Sequence, residues 1–213
     1  MAKHPQLNGH EARLLGVLYE KERTTPDQYP LSLHALTAGA NQKSNRDPVS
    51  DWSEAEVLVG LTGLIHKGLA GKVSIANSRV DKYRQNAREG LNIGDGKLAV
   101  LAELLMRGPQ TVGELRTRAS RMHEFSSTDA VLGELAAMAL DGIVRRIDAP
   151  PGSRAERWMQ LLCPGLHPIP SSDESAPAEA RVHAGQPVMA ERVASLEARV
   201  EVLERALKEL GAL

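Results

Sequence analysis

The chain has little of several things, and each shortage narrows the reading. It carries one cysteine, Cys163, so an internal disulfide is excluded and a reducing cytosol is the expected setting. Aromatic residues make up 3% of the 213 residues, so any core must be built from Leu, Val, Ile and Ala. No run of about 18 apolar residues exists to span a bilayer, and the opening MAKHPQLNGHEA lacks the apolar centre of a signal peptide. The expectation is a soluble, cytoplasmic protein without a membrane partner. Net charge is −1, so no global field draws the chain onto nucleic acid. The local excess drifts only from +2 over 1–90, through 0 over 91–168, to −3 over 169–213.

Chemistry-bearing motifs are also missing. His4, His10, His34, His66, His123, His167 and His183 are scattered, with no cysteine pair and no HExxH, so no metal is expected. The stretch NIGDGKLA would need Gly at 91 and Ser or Thr at 98 to be a phosphate loop. Leu91 and Leu98 stand there instead, and the glycines read as a turn opening a helix. Cys163 reads as a small core residue on a strand. No nucleophile–base pair is suggested by local order, so neither an enzyme nor a cofactor is expected.

What is present is a repeat. Val57, Leu58, Leu61, Leu64, Gly68 and Leu69 align at one constant offset with Val131, Leu132, Leu135, Met138, Gly142 and Ile143. The apolar spacing i, i+1, i+4, i+7 predicts a helix in each copy, with those residues facing a core. Asn8 with Glu11, Ser53 with Glu56, Thr111 with Glu114 and Ser126 with Asp129 mark helix starts, a small polar cap followed three residues on by an acid. Pro30 and Pro109 keep the preceding segments from running on as helix. Gly68 and Gly142 end the third helices. An alternating pair of stretches follows each glycine and predicts a hairpin, with Tyr83 and Trp158 pinning the two hairpins to the helices. Trp52 is placed to pack against Val57 as a staple, and Phe125 to act similarly in the second copy.

Three helices and a hairpin, twice, is the winged-helix arrangement in tandem. The expected fold is therefore mainly α with small β-hairpins. It comprises winged-helix domains at 1–90 and 91–167, a disordered linker at 168–187, and a coiled-coil helix at 188–213. The linker, PIPSSDESAPAEARVHAGQP, holds almost no large apolar residue. The last segment spaces Met189, Val193, Leu196, Val200, Leu203, Leu207 and Leu210 alternately by four and three. Val193 and Val200 take heptad position a, Leu196 and Leu203 position d, and Arg192 and Arg199 at g face Glu197 and Glu204 at e across a parallel pair. A homodimer through residues 189–210 is expected. The alternative is an amphipathic helix packed on its own domain.

The stretches TTPDQYPLSLHALTAGANQKSNRDPVSDWSEAEV, NSRVDKYRQN and LLMRGPQTVGELRTRASRMHEFSS, with the heptad helix, resemble the bacterial YceH-like family. The resemblance covers nearly the whole chain except the linker. It implies a tandem winged-helix body with no assigned activity.

Base reading in the major groove needs Arg, Lys, Asn or Gln on the exposed face of a third helix. The outward set expected over 54–67 is Glu56, Val59, Gly60, Thr62, Gly63, His66 and Lys67. Over 129–141 it is Ala130, Gly133, Glu134, Ala136, Ala137, Leu140 and Asp141. Neither contains Arg, Asn or Gln, and small residues permit close approach of another helix. The leading expectation is a non-catalytic interaction protein with a protein partner. Its candidate surface is Val59, Gly60 and Gly63, the turn carrying Asn41, Gln42, Lys43, Asn45 and Arg46, and the hairpin tip at 77–79. The alternative is a DNA-binding regulator touching phosphates through Arg79, Lys82, Arg84, Arg116, Arg154 and Arg157. Because acids interrupt each basic cluster, those residues also read as an ordinary solvated rim.

Overall fold

The computed structural model describes residues 4–74, 80–147 and 155–168. The chain divides into two units at Pro168, and every described residue belongs to the first. The expected linker and heptad helix, including Val193, Leu196, Val200, Leu203, Leu207 and Leu210, lie outside the described residues, as do Arg79 and Arg154.

The first unit is mostly helical, with two small antiparallel sheets. Helices α1 (Gly9–Thr24), α2 (Leu33–Ala40) and α3 (Glu54–His66) precede the hairpin β2 (Ala70–Val73) and β3 (Lys82–Gln85), with a two-residue strand β1 (Leu31–Ser32) before α2. A short α4 (Ala87–Leu91) leads into α5 (Asp95–Arg107), α6 (Val112–Ala119) and α7 (Thr128–Leu140), then the hairpin β4 (Val144–Ile147) and β5 (Arg157–Gln160). Cys163 falls three residues past β5, buried at the start of a short 3-10 turn rather than on a strand.

Local chemistry sets these bounds. Asn8–Glu11, Ser53–Glu56 and Thr111–Glu114 each form a reciprocal capping box. The fourth start is shifted by one residue: Ser127, not Ser126, caps α7 by accepting from the Ala130 amide. Asp129 thus falls at the second position of the helix, too early to close a box. Both third helices stop the same way. Gly68 and Gly142 take φ of 70° and 74°, while the next amides, Leu69 and Ile143, reach back to Leu64 and Met138 at 2.9 Å.

The two copies also pair their hairpins alike. Leu31 of β1 lies opposite Tyr83, and Gln110 forms a bridge to Trp158, so each hairpin is tied to the chain just before its second helix. Tyr83 and Trp158 are both buried. One contiguous apolar core runs through both copies. Its hub is α1, buried from Glu11 to Glu20. Gly16 brings α1 against Met106 and Ala102 of α5, Gly39 brings α2 against Val17, and Gly60 brings α3 against His10 and Leu14. At each of these glycines a Cβ would crowd its neighbour, so the glycine fixes the approach of two helices.

Candidate interaction surfaces

The faces of α3 and α7 differ from the sequence expectation. Leu58 and Leu132, expected in the core, are exposed at 42% and 43%. Gly60 is buried, and Gly63 is half-buried beside the Glu11 carboxylate, so both face α1. The small residues of α3 do admit a helix at close range, but that helix is the chain's own. Lys67 is exposed, as expected, and donates to Glu11 at 2.5 Å. What α3 leaves open is Glu54, Ala55, Glu56, Leu58, Val59, Thr62 and His66, with Val59 73% exposed.

On α7 the exposed residues are Thr128, Asp129, Leu132, Gly133, Ala136, Ala139 and Leu140, the last 92% exposed. From residue 130 to the end of the helix no exposed position carries a polar side chain. Helices on protein surfaces ordinarily show charge there, and a helix apolar all round is ordinarily covered. Neither open face offers the Arg, Asn or Gln that base edges require. The acids at the start of α3 serve its cap: Ser53 holds the Glu56 carboxyl below its ordinary range through its backbone amide and its hydroxyl.

The turn after α2 is built inward. Asn41 clamps Trp52, accepting from its amide at 2.9 Å and donating to its carbonyl at 2.7 Å. Gln42 accepts from Arg46 at 2.8 Å, and Asn45, at φ 63°, accepts from Arg107. Arg46, expected at the surface, is buried and pairs with Glu20 at 2.5 Å while donating to Gly39 and Asn45 carbonyls. Its guanidinium is taken up by the interior. Lys43 alone of the five candidates in this turn is an exposed charge.

The candidate phosphate contacts do not converge on one element. Arg84 is exposed on β3, and Lys82 is half-buried beside it. Lys72 on β2 pairs with Asp81 at 2.7 Å, the acid that interrupts the cluster. Arg116 on α6 is exposed and donates to the Ser126 carbonyl. Arg157 is half-buried and donates to the Pro109 carbonyl. On β4, Arg146 pairs with Glu156 at 3.2 Å, and Arg145 donates to the Met159 sulfur.

Sequence reasoning missed the buried charges. Glu20 of α1 and Glu103 of α5 are both buried, and Arg121, just past α6, joins them at 2.6 and 3.1 Å. Arg107 adds a contact to Glu103 at 2.9 Å. Burial pushes the Glu20 carboxyl up, but the hydrogen bond and charge of Arg46, with Arg121, bring it below its ordinary value. Burial, with Arg118, Arg121 and Arg46 close by, lowers Arg107 despite Glu103. The network ties α1 and the turn after α2 to α5 and α6. Its only local signal is the i, i+4 pair Glu103–Arg107.

Nearby, Arg13 is 1% exposed and donates to the Pro48 carbonyl at 2.7 Å; burial and Arg46 lower it to about 10. His167 contacts the Asp47 carbonyl at 2.5 Å, and burial lowers it. Cys163 is buried and its thiol is pushed up by that burial. Among the described residues no group of His, Cys, Asp and Glu is arranged to hold a metal ion, and no helix is long and apolar enough to cross a membrane.

Comparison with known proteins places the chain in a family. A family model described as "Protein of unknown function, DUF480" matches residues 7–161. A UPF0502 protein of Geobacter sulfurreducens is 47% identical over 204 residues, covering 92% of this chain and 90% of that protein. One from Solibacter usitatus is 42% identical over 204 residues, covering 96% of each. One from Geotalea daltonii is 50% identical over 177 residues, covering 82% of this chain and 79% of its own. With the model spanning most of the described unit, the chain belongs to the DUF480 family of proteins of unknown function, which is the YceH-like family its motifs resemble.

Proposed function

We propose that this is a non-catalytic interaction protein whose body is a pair of winged-helix units, with the third helix of each unit facing protein rather than DNA bases. The observation that carries the reading is the open face of α7, which has no polar side chain after Asp129. The open face of α3 agrees, with Leu58 and Val59 flanked by Glu54 and Glu56. A base-reading helix needs donors and acceptors at those positions and gains nothing from acids near phosphates. In the same reading, Val193, Leu196, Val200, Leu203, Leu207 and Leu210 form the seam of a parallel dimer in the cytoplasm. A flexible linker of 20 residues at 168–187 would reach about 25 Å, enough for two bodies to engage separate copies of a target.

A second reading, DNA binding through phosphates, is favoured by Arg84 and Arg145, exposed hairpin charges without a carboxylate partner among the described residues. Titrating the full-length protein into a labelled mixed-sequence duplex at low and at moderate salt separates the two. No binding at low salt is expected. Micromolar binding that collapses with salt and is lost in Lys82→Ala/Arg84→Ala/Arg145→Ala would replace the first reading with the second. For the seam, sedimentation of the full chain against a chain ending at Pro187 should show a dimer becoming largely monomeric. A truncation that stays dimeric to the same degree removes the seam from the reading.

A further inference from the structure

The reading that third-helix faces meet protein leaves open what covers α7. We infer that the open face of α7 docks antiparallel on the same face of a second copy of this chain, about a two-fold axis at Ala136. The order of residues along that face is what points to it. Leu132 and Leu140 stand four residues before and four after Ala136, one helical turn to either side. An antiparallel pair crossing at Ala136 therefore sets Leu132 of one copy against Leu140 of the other, twice. Gly133, with open space around it, and Ala136 leave room at the centre for the backbones to approach. This is the self-matching pattern that an isologous two-fold contact requires, and a head-to-tail partner would not require it.

Charge follows the same symmetry. Toward the N-terminal end of the face stand Asp129, in the first turn of α7, and Glu124, exposed in the turn before it, with Arg116 held nearby on the Ser126 carbonyl. Beyond the C-terminal end stand Arg145 and Arg146, the latter paired with Glu156, while Asp141 lies 3.9 Å from Lys97. Among these described residues, each end keeps one charge in excess, acidic before the helix and basic after it. Antiparallel docking brings unlike ends together, and parallel docking would bring like ends together. The equivalent face of α3 lacks the pattern. Its counterparts of Leu132, Ala136 and Leu140 are Leu58, Thr62 and His66, so the apolar residue on the C-terminal side of the centre is missing.

A single helix pair is smaller than a standard interface, so the contact alone should be weak and exchange quickly. Disulfide trapping suits such a contact. Ala136→Cys and, as the α3 control, Thr62→Cys are prepared in the full-length protein and oxidised mildly at micromolar concentration. Both positions are exposed, and native Cys163 is buried with its thiol pushed up, so it competes poorly. Any association through the C-terminal segment raises the local concentration of both variants. The Ala136→Cys variant should form a covalent dimer many-fold faster than the Thr62→Cys variant, and adding Leu140→Asp should remove the advantage. An equal mixture of Leu132→Cys and Leu140→Cys should give the crossed dimer in preference to either self-dimer. Equal rates for the two single variants, an advantage that survives Leu140→Asp, or faster self-linking of Leu132→Cys than crossed linking would each overturn the inference. Duplex binding that is lost in Lys82→Ala/Arg84→Ala/Arg145→Ala would favour DNA phosphates over a separate protein target while leaving the copy-to-copy contact, read by trapping, standing.

Discussion

The two copies of the helix–helix–helix–hairpin unit end their third helices identically and tie their hairpins at matching points, yet they treat the face of that helix differently. In the first copy the third helix carries the glycines: Gly60 admits His10 and Leu14 of α1, and Gly63 sits beside the Glu11 carboxylate. In the second the small residue has moved to the partner, and Gly96 of α5 sits beside the Glu134 carboxylate and the His123 ring. Close approach of first and third helix is kept while the residue that permits it changes sides. The glycine that α7 does carry, Gly133, stands at the position of the exposed Val59, and a Cβ there would meet open space. What is constrained is the distance between helices, and either helix can satisfy it.

The largest effect should come from what joins the copies rather than from either one. Glu20→Ala removes a buried carboxylate and leaves Arg46 and Arg121 facing each other without it. Breaking a buried pair in this way costs about 3–5 kcal/mol, enough to be read directly as a loss of urea midpoint. Next should come Gly60→Leu, which forces a side chain into the α1–α3 contact and costs about 1–3 kcal/mol. Gly133→Ala tests the other side of the comparison. In an open helical position it should add up to about 1 kcal/mol, and a destabilising result would show that the two helix faces are more alike than their packing indicates.

Acid should loosen the junction in two steps. His167 is held below its ordinary value by burial, so its contribution is complete above the unfolded imidazole value and is lost as pH falls through the lower folded one. Glu20, brought below its ordinary value by Arg46 and Arg121 against the effect of burial, contributes above the unfolded carboxylate value and is lost as pH falls through its folded value. Urea midpoints should therefore drop first for the wild type and less for His167→Gln, with the second drop absent in Glu20→Gln. A smaller test concerns the caps. Ser127→Ala should cost about 1 kcal/mol and Ser126→Ala almost nothing, since only Ser127 accepts from the α7 amides.

Much of this architecture is legible in the residues, and the misreadings have physical causes. Caps, terminal glycines and hairpins are local chemistry, and three of four caps fall where the spacing puts them. The faces of α3 and α7 are not local. The i, i+1, i+4 pattern makes the apolar stripe one residue too wide, so Leu58 and Leu132 read as core. Glycine reads as outward because it has no hydrophobic side chain, whereas Gly60 is buried because α1 needs the room. Arg46 illustrates the same limit, since its partner Glu20 lies 26 residues away and the rest of the network belongs to the other copy. The two-residue β1 is too short for an alternating pattern to reveal it. Among the candidate surface residues, Val59, Lys43 and Arg84 are where a partner could reach them; Gly60 and Arg46 are not.

If α7, and not its counterpart α3, has an apolar face kept for a second copy, the body alone should show it. The deciding measurement is sedimentation equilibrium of the chain ending at Pro187, with Leu140→Asp and Leu58→Asp compared at equal concentrations. That chain lacks the heptad segment, so any association belongs to the body. Weak, concentration-dependent self-association is expected, abolished by Leu140→Asp and left intact by Leu58→Asp, with unfolding midpoints of both variants near the wild type. Equal sensitivity of the two positions, or association indifferent to both, would contradict a face reserved on α7.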